Sequence, residues 1–398
     1  MREEKGSLTV RSPISQGSLH FVAMRLSLAG LVVLALALVR AAPIDPTELH
    51  SKASQGLRLV ELEEGAEPVW KTEDEKLELM RAGVHFFDVT ETYEIEQQIP
   101  KSALRAPAVT FPAPSQQTTV NRIIATLSTA NMQASLTTLS NFNNRYYRSS
   151  TGADASTWIL STVRSIISGK SGISASNFAH SWGQSSTIVK FAGRDTSAPV
   201  TILGAHMDSI NLSSPTSGRA PGADDDGTGT VNLIETLRAL VAAGFTPATP
   251  LEFHWYSGEE GGLLGSNAVA ANYASNGVRV KAFMELDMTG YFRPGSTEVV
   301  ALEADYIDTG LNNFLKQVVT TYTRLPVTMD TPCGYACSDH ASWYRYGIPT
   351  SMPFEAVTGN DNPRIHSSSD TTTQSGFSWA HSLEFAKIAV AYAVEMTS

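Results

Sequence analysis

Cysteine is nearly absent from this 398-residue chain: Cys333 and Cys337 are the only two. That excludes a small scaffold held by a disulfide framework and a structural zinc site built on four thiolates. Charge is sparse, at 17% of residues, and basic charge is in deficit, with 29 Lys and Arg against 39 Asp and Glu. No basic stripe is offered to nucleic acid or to an anionic membrane. Internal repeats are also missing, which removes solenoids and propellers. The one long apolar run, residues 26–39, is too short for a comfortable transmembrane helix.

That run follows Arg25 and precedes Arg40-Ala-Ala-Pro43, the pattern of a cleaved secretory signal. Residues 24–42 are expected to be the signal peptide, with Met24 as initiator and residues 1–23 as an upstream extension. The net charge of −10 is uneven, because residues 43–100 hold 14 acidic and 5 basic side chains. Residues 43–105 are therefore expected to form an acidic propeptide that assists folding or masks a site. Lys101 and Arg105 offer cleavage points in a Pro-rich linker. The alternative is a permanent acidic subdomain. Residues 106–398 are expected to form one large domain, and the protein is expected to be secreted and extracellular. In that oxidising setting Cys333 and Cys337 are expected to pair locally, two free thiols being the other reading.

From Pro112 on, apolar residues recur at helical spacing over 117–141 and 153–168. Short apolar runs then alternate with helices. Val200–Ala205, Leu251–Ser257, Lys281–Leu286 and Ile348–Phe354 read as strands, and 228–243, 261–275, 309–323, 338–346 and 376–396 as helices. The alternation predicts an α/β class fold, a three-layer α/β/α sandwich with a mostly parallel mixed sheet.

In such sheets ligand groups gather beyond the carboxyl ends of strands. His206 and Asp208 close the first strand in Gly204-Ala-His206-Met-Asp208-Ser. Asp224, Asp225 and Asp226 open the next helix. Glu259 and Glu260 follow the second strand, Asp287 the third, and His366 sits in a late loop. Each has a bland use: three aspartates before a helix can cap it, and a lone strand-end acid is often only solvated. Together, mixed imidazole and carboxylate groups facing one crevice suit zinc or a similar divalent ion. His254 falls in mid-strand and is expected to pack, and His340 and His381 are expected on helices.

The segments GAHMDS, PGADDDGTG, YSGEEGGLLGS, ELDMTGY, CGYACSDHASW, IPTSMPFE and NPRIHSSSDT occur in this order. With QQTTV, SNFNNRYY and TGADAS before them, the chain from about residue 112 resembles the secreted leucyl aminopeptidases of bacteria and fungi. These are co-catalytic di-zinc exopeptidases with a transferrin-receptor-like fold. The resemblance implies two zinc ions per chain, bridged by Asp225. His206 and Asp287 would complete one site and Glu260 and His366 the other. Glu259 would be the general acid/base and Asp208 the carboxylate that orients His206. It also implies a cis peptide between Asp225 and Asp226 and a disulfide between Cys333 and Cys337. Met288, Tyr335, Met352, Phe354 and Ile365 would line the substrate pocket. Thr358–Asp361 lacks the aromatics some relatives carry there, which loosens the expected preference for leucine over other apolar residues.

A two-metal centre acidifies a water and polarises a carbonyl. A glutamate beside it can take a proton and return it to the departing amine. The expected function is removal of N-terminal, preferably leucine or other apolar, residues from peptides with a free N-terminus, by a monomer. A di-zinc carboxypeptidase or amidase of the same fold is the alternative within the class. A non-enzymatic receptor-like ectodomain is the alternative outside it. Asn211-Leu-Ser213 is the sole N-glycosylation sequon, either used or idle.

Overall fold

The structure, a computed structural model, describes residues 43–63, 65–100 and 110–398. The expected extension, signal peptide and the cleavage points Lys101 and Arg105 lie outside the described residues. Pro43–Ser398 form one compact unit.

The acidic N-terminal segment is folded. It runs α1 (Pro46–Ser54), β1 (Leu57–Glu61), β2 (Val69–Thr72), α2 (Glu73–Arg81), β3 (Phe87–Asp88) and α3 (Tyr93–Gln98). The three strands make an antiparallel sheet ordered β2-β1-β3. Thr72 and Glu75 form a reciprocal capping box at the start of α2. The segment's charges are used in ion pairs. Asp88 meets Arg58 at 2.8 Å and the buried Lys76 at 2.7 Å. Others reach the rest of the chain: Glu61 and Glu96 each lie 2.7 Å from Arg345, and Glu73 lies 2.7 Å from Arg148.

The large part follows as α4 (Gln117–Ile124), α5 (Thr129–Asn141), α6 (Ser150–Ile166), β4 (Ile173–Phe178), β5 (Ser186–Phe191), β6 (Val200–His206), α7 (Gly227–Ala242), β7 (Leu251–Tyr256), α8 (Leu264–Ser275), β8 (Val280–Glu285), β9 (Val300–Leu302), α9 (Thr309–Tyr322), β10 (Val327–Met329), α10 (His340–Arg345), β11 (Thr350–Ser351), β12 (Pro353–Phe354) and α11 (Trp379–Thr397). The main sheet is ordered β11-β8-β6-β7-β5-β4. Its first four strands are parallel, β5 pairs antiparallel with β7, and β4 pairs antiparallel with β5 at the edge. A small sheet, β10-β9-β12, stands beside it.

Side-chain alternation sorts the sheet's two faces. Leu203, Ala205, Phe253, Trp255 and Met284 point into the core shared with α5, α7, α9 and α11. Ile202, Tyr256 and Phe283 point to α8 and α10. Strand β6 is buried along its whole length, as expected of a central strand covered on both faces.

Two expected elements are divided. The helix over 117–141 breaks between α4 and α5, where the Ser128 side chain caps the second helix. The single strand Ile348–Phe354 is two strands in two sheets: β11 pairs with β8 and β12 with β9. Met352 sits where the chain changes sheet.

Candidate functional site

Strand β6 lies between β7 and β8, so the chain leaves its carboxyl end in opposite directions and opens a crevice there. His206 ends β6, Glu259 and Glu260 form a tight turn after β7, and Asp287 follows β8. Asp226 caps α7 by accepting the Gly229 N–H at 2.8 Å. A Cβ at Gly229 would stand 2.0 Å from the Leu286 carbonyl, so glycine lets the helix start this close to the end of β8.

Asp225 sits just before that cap and faces two ways. Its Oδ1 is 3.1 Å from His206 Nε2, which lies 3.5 Å from Asp287 Oδ1. Its Oδ2 is 3.2 Å from His366 Nε2, which lies 2.9 Å from Glu260 Oε2. The result is two three-residue groups that share one carboxylate, each compact enough to hold a cation. Asp287 Oδ1 is buried with no hydrogen-bond partner, an expensive state for a carboxylate oxygen and the one a bound cation would relieve. Oxygen and imidazole donors in this arrangement fit two divalent ions. Glu303, Cys333 and Cys337 also converge, but both sulfurs are consumed in the Cys333–Cys337 disulfide.

The electrostatics of the pocket follow from crowding. Burial opposes charge on His206, yet Asp287 and Glu259 outweigh it and raise its pKa well above the usual histidine range. Burial likewise works against His366, and Glu260 and Asp225 raise it. Burial pushes the Glu259 carboxyl well up, with Asp339, Glu260 and Asp287 adding to the rise and His206 opposing it. A raised pKa moves a glutamate toward the range in which it can both take and give a proton.

Backbone tethers hold these groups. Asp208 accepts the N–H groups of Glu259 at 3.0 Å and Glu260 at 3.3 Å. Its Oδ1 lies 3.5 Å from His206 Nδ1, beyond a good hydrogen bond, so in this structure it fixes the glutamate turn more firmly than the imidazole. The peptide between Asp225 and Asp226 is cis. Met288 and His366 adopt left-handed φ values of 56° and 57°, a conformation that costs a side-chain-bearing residue energy and persists where neighbours enforce it.

Several supporting residues were not singled out in the sequence. Arg145 is buried and donates to the carbonyls of Met207 at 2.7 Å and Gly222 at 2.8 Å, joining the ends of the His206 and Asp225 segments. Asp370 accepts the amides of Asp224 and Asp225. Asp224, which had no assigned role, accepts from Gly290 N at 2.9 Å and Asn362 Nδ2 at 3.0 Å. Both Arg145 and Asp370 fall inside the quoted strings SNFNNRYY and NPRIHSSSDT, but no spacing rule marks them.

A cavity of about 430 Å³ opens onto this centre. Met288, Tyr335, Met352, Phe354 and Ile365 line it together with Glu259, Glu260, Asp225, Asp287 and His366. Part of the N-terminal segment, including Met80, Val84 and His85, also lines it. The histidines expected to pack or to lie on helices are outside it. His254 is buried between Glu252 and Tyr256 at 2.9 Å each, and His340 and His381 lie on α10 and α11. At the sequon, Asn211 Nδ2 donates to the Arg219 carbonyl at 2.8 Å.

Comparison with known proteins gives a consistent picture. A model of peptidase family M28 matches residues 186–393. Leucine aminopeptidase 1 of Arthroderma gypseum is 41% identical over 352 residues, 85% of this chain and 91% of that protein. Leucine aminopeptidase 1 of Aspergillus clavatus is 40% identical over 377 residues, 91% of this chain and 95% of that protein. Among solved structures, the LapA aminopeptidase of Legionella pneumophila is 30% identical, with a TM-score of 0.74, covering 88% of this chain and 96% of that one. These shares exceed what residues 110–398 supply, so the likeness extends into the acidic N-terminal segment.

Proposed function

The chain belongs to peptidase family M28 and is a peptide-bond hydrolase, and we propose that it is a secreted aminopeptidase with two zinc ions. It removes leucine or another apolar residue from the free N-terminus of a peptide. The observation that carries this reading is the pair of three-residue groups sharing Asp225, with Glu259 at their edge and an apolar cavity in front. His206, Asp225 and Asp287 would hold one ion, and Asp225, Glu260 and His366 the other. Bound there, the ions supply Lewis acidity toward the scissile carbonyl and acidify water.

The chain's own residues do the rest. Glu259 accepts a proton from the attacking water and delivers it to the departing amine, because an amide nitrogen leaves poorly as an anion. Asp208 holds Glu259 and Glu260 by their amides so that one turns to proton transfer and the other to metal. Met288, Met352, Phe354 and Ile365 receive the first side chain. Burying a leucine there is worth roughly 1.5–3 kcal/mol. The names of the fungal relatives and the apolar lining both support leucine.

Secretion rests on the expected signal peptide. The acidic N-terminal segment lines the cavity, which supports reading it as a restraint removed on activation, that is, a zymogen. Asn211 would carry glycan only if its side chain gave up the bond to Arg219.

The test compares a leucine anilide with the same compound N-acetylated, on protein of measured metal content. The free amine should be hydrolysed, and a chelator should stop turnover until zinc is restored. Activity confined to the blocked compound would make the protein an amidase or carboxypeptidase, and activity indifferent to chelation would remove the metals from the mechanism.

A further inference from the structure

The N-terminal segment touches the cavity at defined points. Asp88 N donates to the Gly262 carbonyl at 3.0 Å, three residues past Glu259. Gly262 has φ 104° and a Cβ there would stand 2.8 Å from the Phe86 ring, so the segment packs directly on the backbone of the glutamate turn. His85 stacks on Tyr335 with ring centroids 3.4 Å apart and planes 11° apart. Arg81 Nε donates to the Leu212 carbonyl at 2.8 Å, and Leu212 N donates to the His366 carbonyl at 3.1 Å. The segment thus spans from the turn that bears Glu259 to the loop that bears His366. Its own core supports this placement: Phe87 and Val89 are buried in one cluster with Leu263.

Despite these contacts the cavity is not filled, since about 430 Å³ remains with the segment in place. Met80, Val84, His85 and Phe86 line that space together with Glu259, so a substrate that extends past the scissile bond meets the segment. The contacts past Glu259 matter most. Glu259 protonates the departing amine, so the part of the substrate beyond the scissile bond passes on that side.

We propose that the N-terminal segment is a size filter on the leaving-group side of the site, with Val84, His85 and Phe86 as its wall. It admits an amino-acid amide, an anilide or a dipeptide, and it excludes extended peptides until it is displaced. The inference rests on the aminopeptidase reading above and deepens it: the restraint is selective by substrate length, where a plug would block every substrate alike.

The experiment uses metal-loaded protein purified with the segment attached, checked by intact mass. Turnover is measured on leucine anilide and on a peptide of about ten residues beginning with leucine, roughly 35 Å long when extended. The intact chain should hydrolyse the anilide and leave the long peptide almost untouched. The double change Val84→Gly and His85→Gly trims the wall at two exposed side chains. It should raise the ratio of long-peptide to anilide turnover by about tenfold or more. Lys76→Met, which leaves Asp88 without its buried ammonium, loosens the segment by a different route and should raise the same ratio. An unchanged ratio in both variants overturns the filter, as does an intact chain equally inert toward both substrates or equally active on both. Failure of every form to cleave either substrate, with both metals bound, counts against aminopeptidase activity itself and removes the filter with it.

Discussion

Asp370 Oδ2 accepts the backbone N–H of Asp225 at 3.1 Å, and both its oxygens accept the N–H of Asp224 at 3.2 Å. Asp370 lies four residues after His366, so one buried carboxylate joins the loops that carry a ligand shared by both metal groups and a ligand of one. Asn362 Nδ2 in turn donates to Asp370 Oδ1 at 3.1 Å. Asp370→Ala would leave two buried amides without acceptors, at about 1–3 kcal/mol each. Loss of an outer partner of a metal ligand weakens metal binding by about 10–100-fold. Calorimetric titration of the apoprotein should show that loss. A lower melting temperature with unchanged metal affinity would make Asp370 structural only.

Glu259 stands at the edge of both metal groups without belonging to either. Glu259→Gln keeps the shape and removes the proton carrier. Turnover should fall by about 10²–10⁴ or more. Metal content should stay at the wild-type value, because none of the five ligands is altered. A variant that keeps its rate would assign the proton transfer elsewhere, and one that loses metal would make Glu259 part of metal binding.

Much of this centre was legible because its groups sit at strand ends. His206, Glu259, Glu260 and Asp287 each follow a recognisable apolar run by a few residues, so a sheet topology alone brings them together. The supporting cluster was not legible. Asp224 and Asp370 are 146 positions apart, and a buried aspartate among serines resembles any loop aspartate. The edge strand β4 was missed for a related reason. Ile173–Phe178 is half-exposed and polar, so its pattern does not stand out from a loop. In the N-terminal segment composition showed the acidity but not its partners. Its carboxylates look like a solvated acidic run, yet Glu61, Glu73 and Glu96 find Arg345 and Arg148, partners far along the chain.

Away from the site, Glu252 on β7 supplies a pH-dependent part of the stability. It accepts from Lys190 Nζ at 3.0 Å and lies 2.9 Å from His254 Nε2. Burial works to raise its pKa, but the His254 and Lys190 interactions and the Tyr273 hydroxyl outweigh it and hold the value at about 2. Burial keeps the His254 pKa low, so near neutral pH the neutral ring still donates Nε2–H to the carboxylate. A folded-state pKa below the unfolded value of about 4.3 stabilises the protein above that value. The contribution is lost as pH falls from about 4.3 toward 2. Glu252→Gln should cost about 1–3 kcal/mol near neutral pH. Urea unfolding from pH 6 to 3 should show the wild-type advantage shrinking as acid is added. An advantage that is constant across that range would mean the carboxylate titrates alike in both states.

Met352 occupies the single residue between β11 and β12, where the chain passes from the main sheet to the small one. It is 3% exposed and lines the cavity, so its side chain is buried while facing the substrate space. Truncation should therefore act on selectivity and on stability together. Met352→Ala removes contacts to a leucine side chain and lengthens the pocket. The kcat/KM for a leucine anilide should fall by about tenfold, within the range for lost methylene contacts. That for a phenylalanine anilide should fall less or rise, because the larger ring uses the new space. The buried cavity should also cost about 2–5 kcal/mol of folding stability. Stability lost with an unchanged leucine-to-phenylalanine ratio would place Met352 in the packing of the two sheets and outside the pocket for the first residue.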